Sequence, residues 1–96
     1  MIIETMNFRL DSGADVASFL AADRQVQCDF AYQQAGLLRR TTARSVDGNW
    51  IVLDLWSSEN EADACADHKD GHPVTAAFMS FIDASTVRIQ RYTTLD

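Results

Sequence analysis

Residues 37–56, LLRRTTARSVDGNWIVLDLW, decide the fold of this 96-residue chain. Asp47-Gly48 near their middle is the strongest short-range hairpin signal in the sequence, because both central positions of a type I′ turn need a positive φ. The residues before this turn predict a polar, Arg-bearing strand over 37–45, which suits the edge of a sheet. Those after it predict an apolar strand over Trp50–Trp56. A hairpin therefore lies at the centre of the chain, and the flanking segments determine what packs against it.

The part of the chain before the hairpin predicts one strand and one helix. Residues 2–10 alternate between apolar and polar side chains, as a strand does. A helix is expected over about 14–34, and Ser12 and Asp15 have the spacing of a capping box at its start.

The part after the hairpin predicts a second helix, a further helical segment and a last strand. Ser58 and Glu61 form a full capping box, which begins a helix that ends near Gly71. Pro73 restarts the helix, since its missing N–H costs nothing in a first turn. Residues 85–93 are expected as the last strand. The order of elements is therefore β-α-β-β-α-β.

This order is typical of a ferredoxin-like α+β sandwich. Two β-α-β units with right-handed crossovers place both helices on one face of a four-stranded antiparallel sheet. The first and third strands are the most apolar, so they are expected in the centre, with the second and fourth at the edges. No linker interrupts the chain, which predicts a single domain over residues 1–96.

The sheet face without helices predicts a homodimer. Alternation along the third strand assigns Leu53 to the helix side. It assigns Trp50 and Trp56, together with Tyr92 of the last strand, to the uncovered side. Aromatic side chains mixed with Arg are typical of an interface and not of a hydrated face. Two copies are therefore expected to pair through their sheets; the alternative is a monomer with an apolar sheet face in water.

Charge and composition bear on partners and compartment. The net charge of −6 disfavours phosphate backbones and anionic lipid surfaces, so neither nucleic acid nor a membrane is expected as a partner. The sequence has no apolar run of membrane-spanning length and no signal-peptide pattern, which predicts a cytoplasmic protein. Cys28 and Cys65 form no CxxC pair and are expected to be reduced.

Two polar residues of the first helix are predicted to face the sheet. Asp23 and Gln27 fall among Phe19, Leu20 and Val26 on a helical wheel. Burying an unpartnered carboxylate is costly, so one interpretation is a polar pocket in which Asp23 acts as a base and Gln27 binds substrate. The alternatives are that Asp23 pairs with a structural Arg, or that a rotated helix leaves both residues at a wet edge.

Two histidines are further candidates for proton transfer. His68 and His72 are four residues apart, the spacing that places two imidazoles on one helix face. Gly71 and Pro73 interrupt that helix and no third ligand is evident, so no metal site is predicted. His72 is expected to cap the following turn or to lie at the mouth of a pocket. Together with Asp23, the two histidines form the predicted catalytic set.

Several short motifs are spread over nearly the whole chain. They are QAGL at 34–37, DGNWIVL at 47–53, WSSE at 56–59 and His72-Pro73. In these motifs the chain resembles the antibiotic-biosynthesis-monooxygenase-like proteins of the dimeric α+β barrel superfamily. The resemblance implies pairing as a dimeric α+β barrel. Because that superfamily includes cofactor-free oxygenases, it also implies oxygenation without a cofactor as one activity.

Two functions stay open. The first is a cofactor-independent monooxygenase of an aromatic or phenolic substrate, bound by Phe19, Phe30, Trp56 and Phe78. Such a substrate must reduce oxygen itself, so no cofactor is expected, and the protein supplies a dry cavity, orientation and a base. The second is a non-catalytic ligand-binding or protective dimer. A closed cavity with a titratable group of shifted pKa favours the enzyme, and an apolar pocket alone favours the binding protein.

Overall fold

The computed structural model, which describes residues 1–96, contains one four-stranded sheet and three helices. The elements in chain order are β1 (Ile2–Phe8), α1 (Val16–Asp29), β2 (Leu37–Arg44), β3 (Trp50–Trp56), α2 (Glu59–Lys69), α3 (Pro73–Met79) and β4 (Arg88–Thr93). The strands are antiparallel in the order β2-β3-β1-β4, so the two apolar strands are central. The predicted ferredoxin-like α+β fold is confirmed. None of the helices has the length and apolar character that crossing a bilayer requires.

Helix α1 is shorter at both ends than its pattern predicts. Asp15 is the N-cap in place of Ser12, and its carboxylate accepts a hydrogen bond from the Ser18 N–H at 3.0 Å. At the other end the chain continues as one 3₁₀ turn over Ala31–Gln33. Phe30 leaves the helical conformation there, with φ −131° and ψ −63°, and is buried. Burying a Phe side chain is worth roughly 1.5–3 kcal/mol, which favours this break in the helix.

The hairpin between β2 and β3 forms where it is predicted, with a different turn. Gly48 has φ +88°, and no residue other than glycine has a positive φ, so the type I′ turn was wrong. The Gly48 N–H donates to the Ser45 carbonyl at 3.2 Å, and the Ser45 N–H donates to the Asn49 carbonyl at 2.7 Å. The Asp47 carboxylate accepts from the Ser45 hydroxyl, while its carbonyl accepts from the Arg9 guanidinium at 3.0 Å. These side-chain bonds stabilise a turn that needs only one positive φ.

The starts of α2 and α3 have the caps that the sequence predicts. The Ser58 hydroxyl accepts from the Glu61 N–H at 3.3 Å and donates to the Glu61 carboxylate at 3.0 Å. The His72 ring accepts from the Val74 N–H through Nδ1 at 3.3 Å, and Pro73 occupies the first turn of α3. Local chemistry is sufficient to begin both helices.

The two faces of β3 are opposite to their predicted assignment. Trp50 and Trp56 face the helices and are 6% and 1% exposed. The register pairs them with Phe8 and Ile2 of β1, which are also buried. Leu53 therefore lies on the uncovered face. The predicted dimer contact through the two tryptophans was wrong, because both alternating rows of β3 are apolar and the larger aromatic area is buried under the helices.

The residues between helices and sheet form two clusters. The larger core comprises Phe8, Phe19, Val26, Trp50, Val52, Phe78 and Ile82. The smaller core comprises Ile2, Phe30, Trp56, Ala62 and Cys65. Each cluster combines sheet residues with helix residues, and the space between the two clusters is not filled by side chains.

Candidate functional site

A cavity of about 390 Å³ separates the larger core from the smaller core. This volume lies at the lower end of the range of small-molecule sites. Thirteen of its twenty lining residues are hydrophobic, so the walls favour an apolar ligand. Strands β1, β2 and β3 line its floor, α1 and α3 its roof, and the end of α2 one side. The exposed side chains of Met79 and Ile89 mark its mouth between α3 and β4.

Asp54 is a half-buried charged residue in this cavity that has no ion-pair partner. Its Oδ1 is buried without a hydrogen bond, and none of the four ion pairs of the protein includes it. Its cross-strand neighbours are Arg40 on β2 and Glu4 on β1. Burial raises the pKa of Asp54 from 3.8 to about 6, an effect that Lys69 and Arg40 reduce and Glu4 increases. A carboxyl with such a pKa can give or take a proton near neutral pH.

The neighbouring carboxylate, Glu4, is neutralised by two bases. Arg91 Nε donates to Glu4 Oε2 at 2.7 Å, and Lys69 Nζ lies 4.0 Å from Glu4 Oε1. Arg91 also donates to Asp63 of α2 at 2.6 Å, and these two hydrogen bonds raise the pKa of Arg91. The chain of charges connects the sheet to α2 beside the cavity and leaves Asp54 as the uncompensated carboxyl.

Asp23 and Gln27 face the sheet, as their wheel positions predict. Arg40 Nη2 donates to Asp23 Oδ1 at 2.8 Å, and Arg40 Nη1 donates to Gln27 Oε1 at 3.3 Å. The Thr42 hydroxyl donates to the same Asp23 oxygen at 2.9 Å. Neither Asp23 nor Gln27 lines the cavity, whereas Arg40 does. Asp23 therefore pairs with a structural Arg, which was one of the predicted alternatives. This ion pair positions the Arg40 guanidinium, which reaches the cavity.

The two histidines lie outside the cavity. His68 is exposed on α2, with Nδ1 3.0 Å from Oε1 of Gln34. His72 caps α3, as predicted, and its ring packs edge-on against Phe30 with the centroids 4.9 Å apart. The structure does not bring either imidazole together with Asp23. No three His, Cys, Asp or Glu side chains come together as a possible metal site.

Three of the four aromatic residues predicted to bind substrate line the cavity. These are Phe30, Trp56 and Phe78. Phe19 instead lies behind Phe78 in the larger core, with ring centroids 5.3 Å apart. The Trp56 indole N–H is buried without an acceptor, so it is a free hydrogen-bond donor in the wall of the cavity.

Asp54 is the site residue that the sequence interpretation missed. Alternation along β3 puts Asp54 in the same row as Trp50 and Trp56, the row that the sequence assigns to the uncovered face. A signal was present: Asp54 is the only charged residue in β3, WIVLDLW, and that strand was expected in the centre of the sheet. A charge in a central apolar strand is costly, so it points either to an interface or to a site.

Fold and cavity together define a small α+β domain with an open cavity of ligand size between helices and sheet. Among solved structures, SnoaB, a cofactor-independent oxygenase from Streptomyces nogalater, is similar with a TM-score of 0.77 and 15% identity, over 99% of this chain and 93% of that chain. An antibiotic biosynthesis monooxygenase is similar with a TM-score of 0.78 and 9% identity, over 100% of both chains. Rv0793 from Mycobacterium tuberculosis has a TM-score of 0.71 and 15% identity, over 99% of this chain and 95% of that chain.

No protein-family model and no curated protein matches the sequence. Sequence identities of 9–15% establish a likeness in fold alone. The chain has the fold of the antibiotic-biosynthesis-monooxygenase-like proteins, as its motifs predict.

Proposed function

We propose that the chain is a cofactor-independent monooxygenase that acts on a flat aromatic or phenolic substrate in this cavity. The observation that carries the proposal is the half-buried Asp54 carboxyl, whose Oδ1 is buried without a hydrogen bond among mostly apolar walls and whose pKa is raised to about 6. A base of that pKa is mostly ionised at pH 7 and still basic enough to accept a proton. The likeness in fold to a cofactor-independent oxygenase supports the reaction class.

The proposed reaction converts a CH₂ group of the substrate and O₂ into a carbonyl and water. Asp54 takes one proton, and the electron pair left on carbon spreads over the aromatic system. This anion reduces oxygen, which adds to the same carbon, and Asp54 returns the proton to give a hydroperoxide. The second C–H bond and the O–O bond then break, leaving C=O and H₂O. Apolar walls favour these steps because they limit access of water to the anion.

The other residues of the cavity would orient the substrate and stabilise its charge. Phe30 and Phe78 provide flat walls for an aromatic ring. The free indole N–H of Trp56 can donate to a substrate oxygen. Arg40 uses two of its five N–H donors on α1, so others remain for an oxyanion.

Oxygen consumption with a panel of anthrones, which carry the CH₂ group that the proposed reaction needs, tests the proposal. We expect turnover by the wild type above buffer, and a loss of roughly a hundredfold or more in Asp54→Asn, which keeps the shape and removes the base. Asp67→Asn, which removes an exposed carboxylate on α2, is the matched control and should keep the activity. The His68→Ala, His72→Ala double variant should also remain active, because neither ring lines the cavity.

The second candidate function, a non-catalytic ligand-binding dimer, is supported by the mostly apolar walls. If the wild type consumes no oxygen while calorimetry finds a flat ligand bound tightly, the binding function replaces the oxygenase. If activity survives in Asp54→Asn, Asp54 is not the base, and a loss in Asp23→Asn alone would then show only that the position of Arg40, which Asp23 fixes, is needed.

A further inference from the structure

We infer that this cavity also binds an organic ammonium ion, a protonated arylalkylamine, with its charge at Asp54 and its ring among Phe30, Trp56 and Phe78. The inference involves no oxygen chemistry. It therefore goes beyond the proposed function and does not depend on it.

The charges around the cavity favour a cation at Asp54. Arg40 is ion-paired with Asp23 at 2.8 Å, and Lys69 lies beside Glu4 at 4.0 Å. Both bases that line the cavity thus lie closer to other carboxylates, and neither makes an ion pair with ionised Asp54, although both attract it. A buried carboxylate without a counter-ion is unfavourable. A ligand that brings the missing positive charge removes that cost, whereas a neutral ligand does not.

The aromatic walls supply the second part of an ammonium site. Phe30, Trp56 and Phe78 all line the cavity and are at most 4% exposed, so their rings are held in place by the core. The faces of aromatic rings attract organic cations, most strongly where water is excluded. Asp54 and Trp56 project from the same face of β3, roughly 7 Å apart along the strand. An ammonium group at the carboxylate therefore leaves its hydrocarbon part beside the indole.

Protonation of Asp54 gives the inference a distinct signature. Asp54 is surrounded by Glu4 from β1, Arg40 from β2, and Lys69 and Cys65 from α2. The exposed carboxylate of Asp70, directly after α2, also lines the cavity, while α1 and α3 contribute uncharged residues to its wall. Burial raises the pKa of Asp54 to about 6. An ammonium ligand favours the ionised form, so its binding near pH 6 should release a proton. At pH 5 most of the carboxyl is protonated and the ligand loses its counter-ion.

The test compares 2-phenylethylamine with 2-phenylethanol, which share a ring and a chain and differ in charge. By calorimetry at pH 7.5 we expect the wild type to bind the amine about tenfold more tightly, the worth of a charge-assisted contact. At pH 5 that preference should shrink about tenfold. The amine itself stays charged throughout, because alkylammonium groups titrate near the lysine value of about 10.4. Titrations near pH 6 in two buffers of different ionisation enthalpy should report the released proton.

Two variants separate the charge of Asp54 from the shape of the cavity. Asp54→Asn should bind amine and alcohol about equally, with its affinity for the alcohol kept, while Asp67→Asn should behave as the wild type. Equal binding of both compounds by the wild type, no binding of the amine, or a preference that survives in Asp54→Asn overturns the inference. The oxygenase proposal can fail independently of this inference. A protein that prefers the amine but consumes no oxygen rules out only the oxygenase. A protein that consumes oxygen without preferring the amine rules out only the ammonium site.

Discussion

At the scale of single residues, Asp54 carries an electrostatic cost that depends on pH. Burial raises its pKa from 3.8 to about 6. One pKa unit corresponds to about 1.4 kcal/mol, so the ionised form is disfavoured in the folded protein by roughly 3 kcal/mol. Because the folded pKa lies above the unfolded one, the folded protein retains a proton that the unfolded chain loses. The cost therefore appears as the pH rises from about 4 to about 6, and it is constant above that range.

We expect Asp54→Asn to raise the free energy of unfolding by about 1–3 kcal/mol above pH 7, because the amide cannot ionise. Near pH 3.5 the variant and the wild type should be almost equally stable, since the carboxyl is then neutral in both states. Urea unfolding at a series of pH values measures this, with Asp67→Asn as the control. A difference that does not change with pH would show that the Asp54 carboxyl is hydrated in the folded protein.

At the scale of elements, the corner between α1 and β2 and the start of α2 depend on each other. Gly36 has φ +84°, and a Cβ at this position would collide with the carboxylate of Glu61. That carboxylate accepts from the Ser58 hydroxyl at 3.0 Å and from the Ser57 hydroxyl. The Gly36 carbonyl also accepts from the Ser57 N–H at 2.8 Å. The capping box of α2 is thus attached to the corner that precedes β2.

We expect Gly36→Ala to lower the free energy of unfolding by about 2 kcal/mol or more. A left-handed alanine costs about 1–2 kcal/mol, and displacement of Glu61 weakens the cap of α2 in addition. Gly13→Ala is the matched control, because Gly13 has φ +81° and open space around its Cβ position. In the same denaturation experiment, Gly13→Ala should lower the free energy of unfolding only by the cost of a left-handed alanine. Equal losses in the two variants would mean that Glu61 moves aside without cost.

At the scale of the whole molecule, one face of the sheet is uncovered in a single chain. The apolar side chains on this face are Ile3, Ile51, Leu53 and Leu55, all half-buried, and Tyr92, which is 47% exposed. A contiguous apolar area of this kind suits contact with a second copy, since a two-fold axis lets the same patch serve both chains. We propose a homodimer through this face, with the two tryptophans excluded from the contact.

Light scattering after size exclusion at micromolar concentration should give about twice 10.7 kDa for the wild type. Leu53 lies opposite Thr5 near the middle of the uncovered face, so Leu53→Glu would bury a charge at the contact and should give a monomer. Val46→Glu, at the fully exposed tip of the hairpin, is the control and should leave the dimer intact. A wild type that scatters as a monomer contradicts the proposed pairing.

The features that the sequence by itself determined depend on residues that are close to one another along the chain. The order of elements follows from apolar periodicity, and the caps at Ser58 and His72 follow from side chains that bond to N–H groups two or three residues away. The inward direction of Asp23 follows from its position on the wheel of α1, and its burial confirms it. The low polarity of β1 and β3 also identifies them as the two central strands, because a central strand has a neighbouring strand on each side and is more buried than an edge strand.

Only the tertiary structure decided which side of β3 faces the helices. Both rows of WIVLDLW are apolar enough for either side, so the choice depends on the register that pairs Trp50 with Phe8 and on the volume available under the helices. That choice brings Asp54 into the cavity. Its pKa then depends on burial and on Arg40, Glu4 and Lys69, which come from other elements of the chain. Local sequence marks Asp54 only as a charge in an apolar strand. Its role as candidate base depends on burial and cross-strand neighbours, which exist only once the sheet and helices have packed.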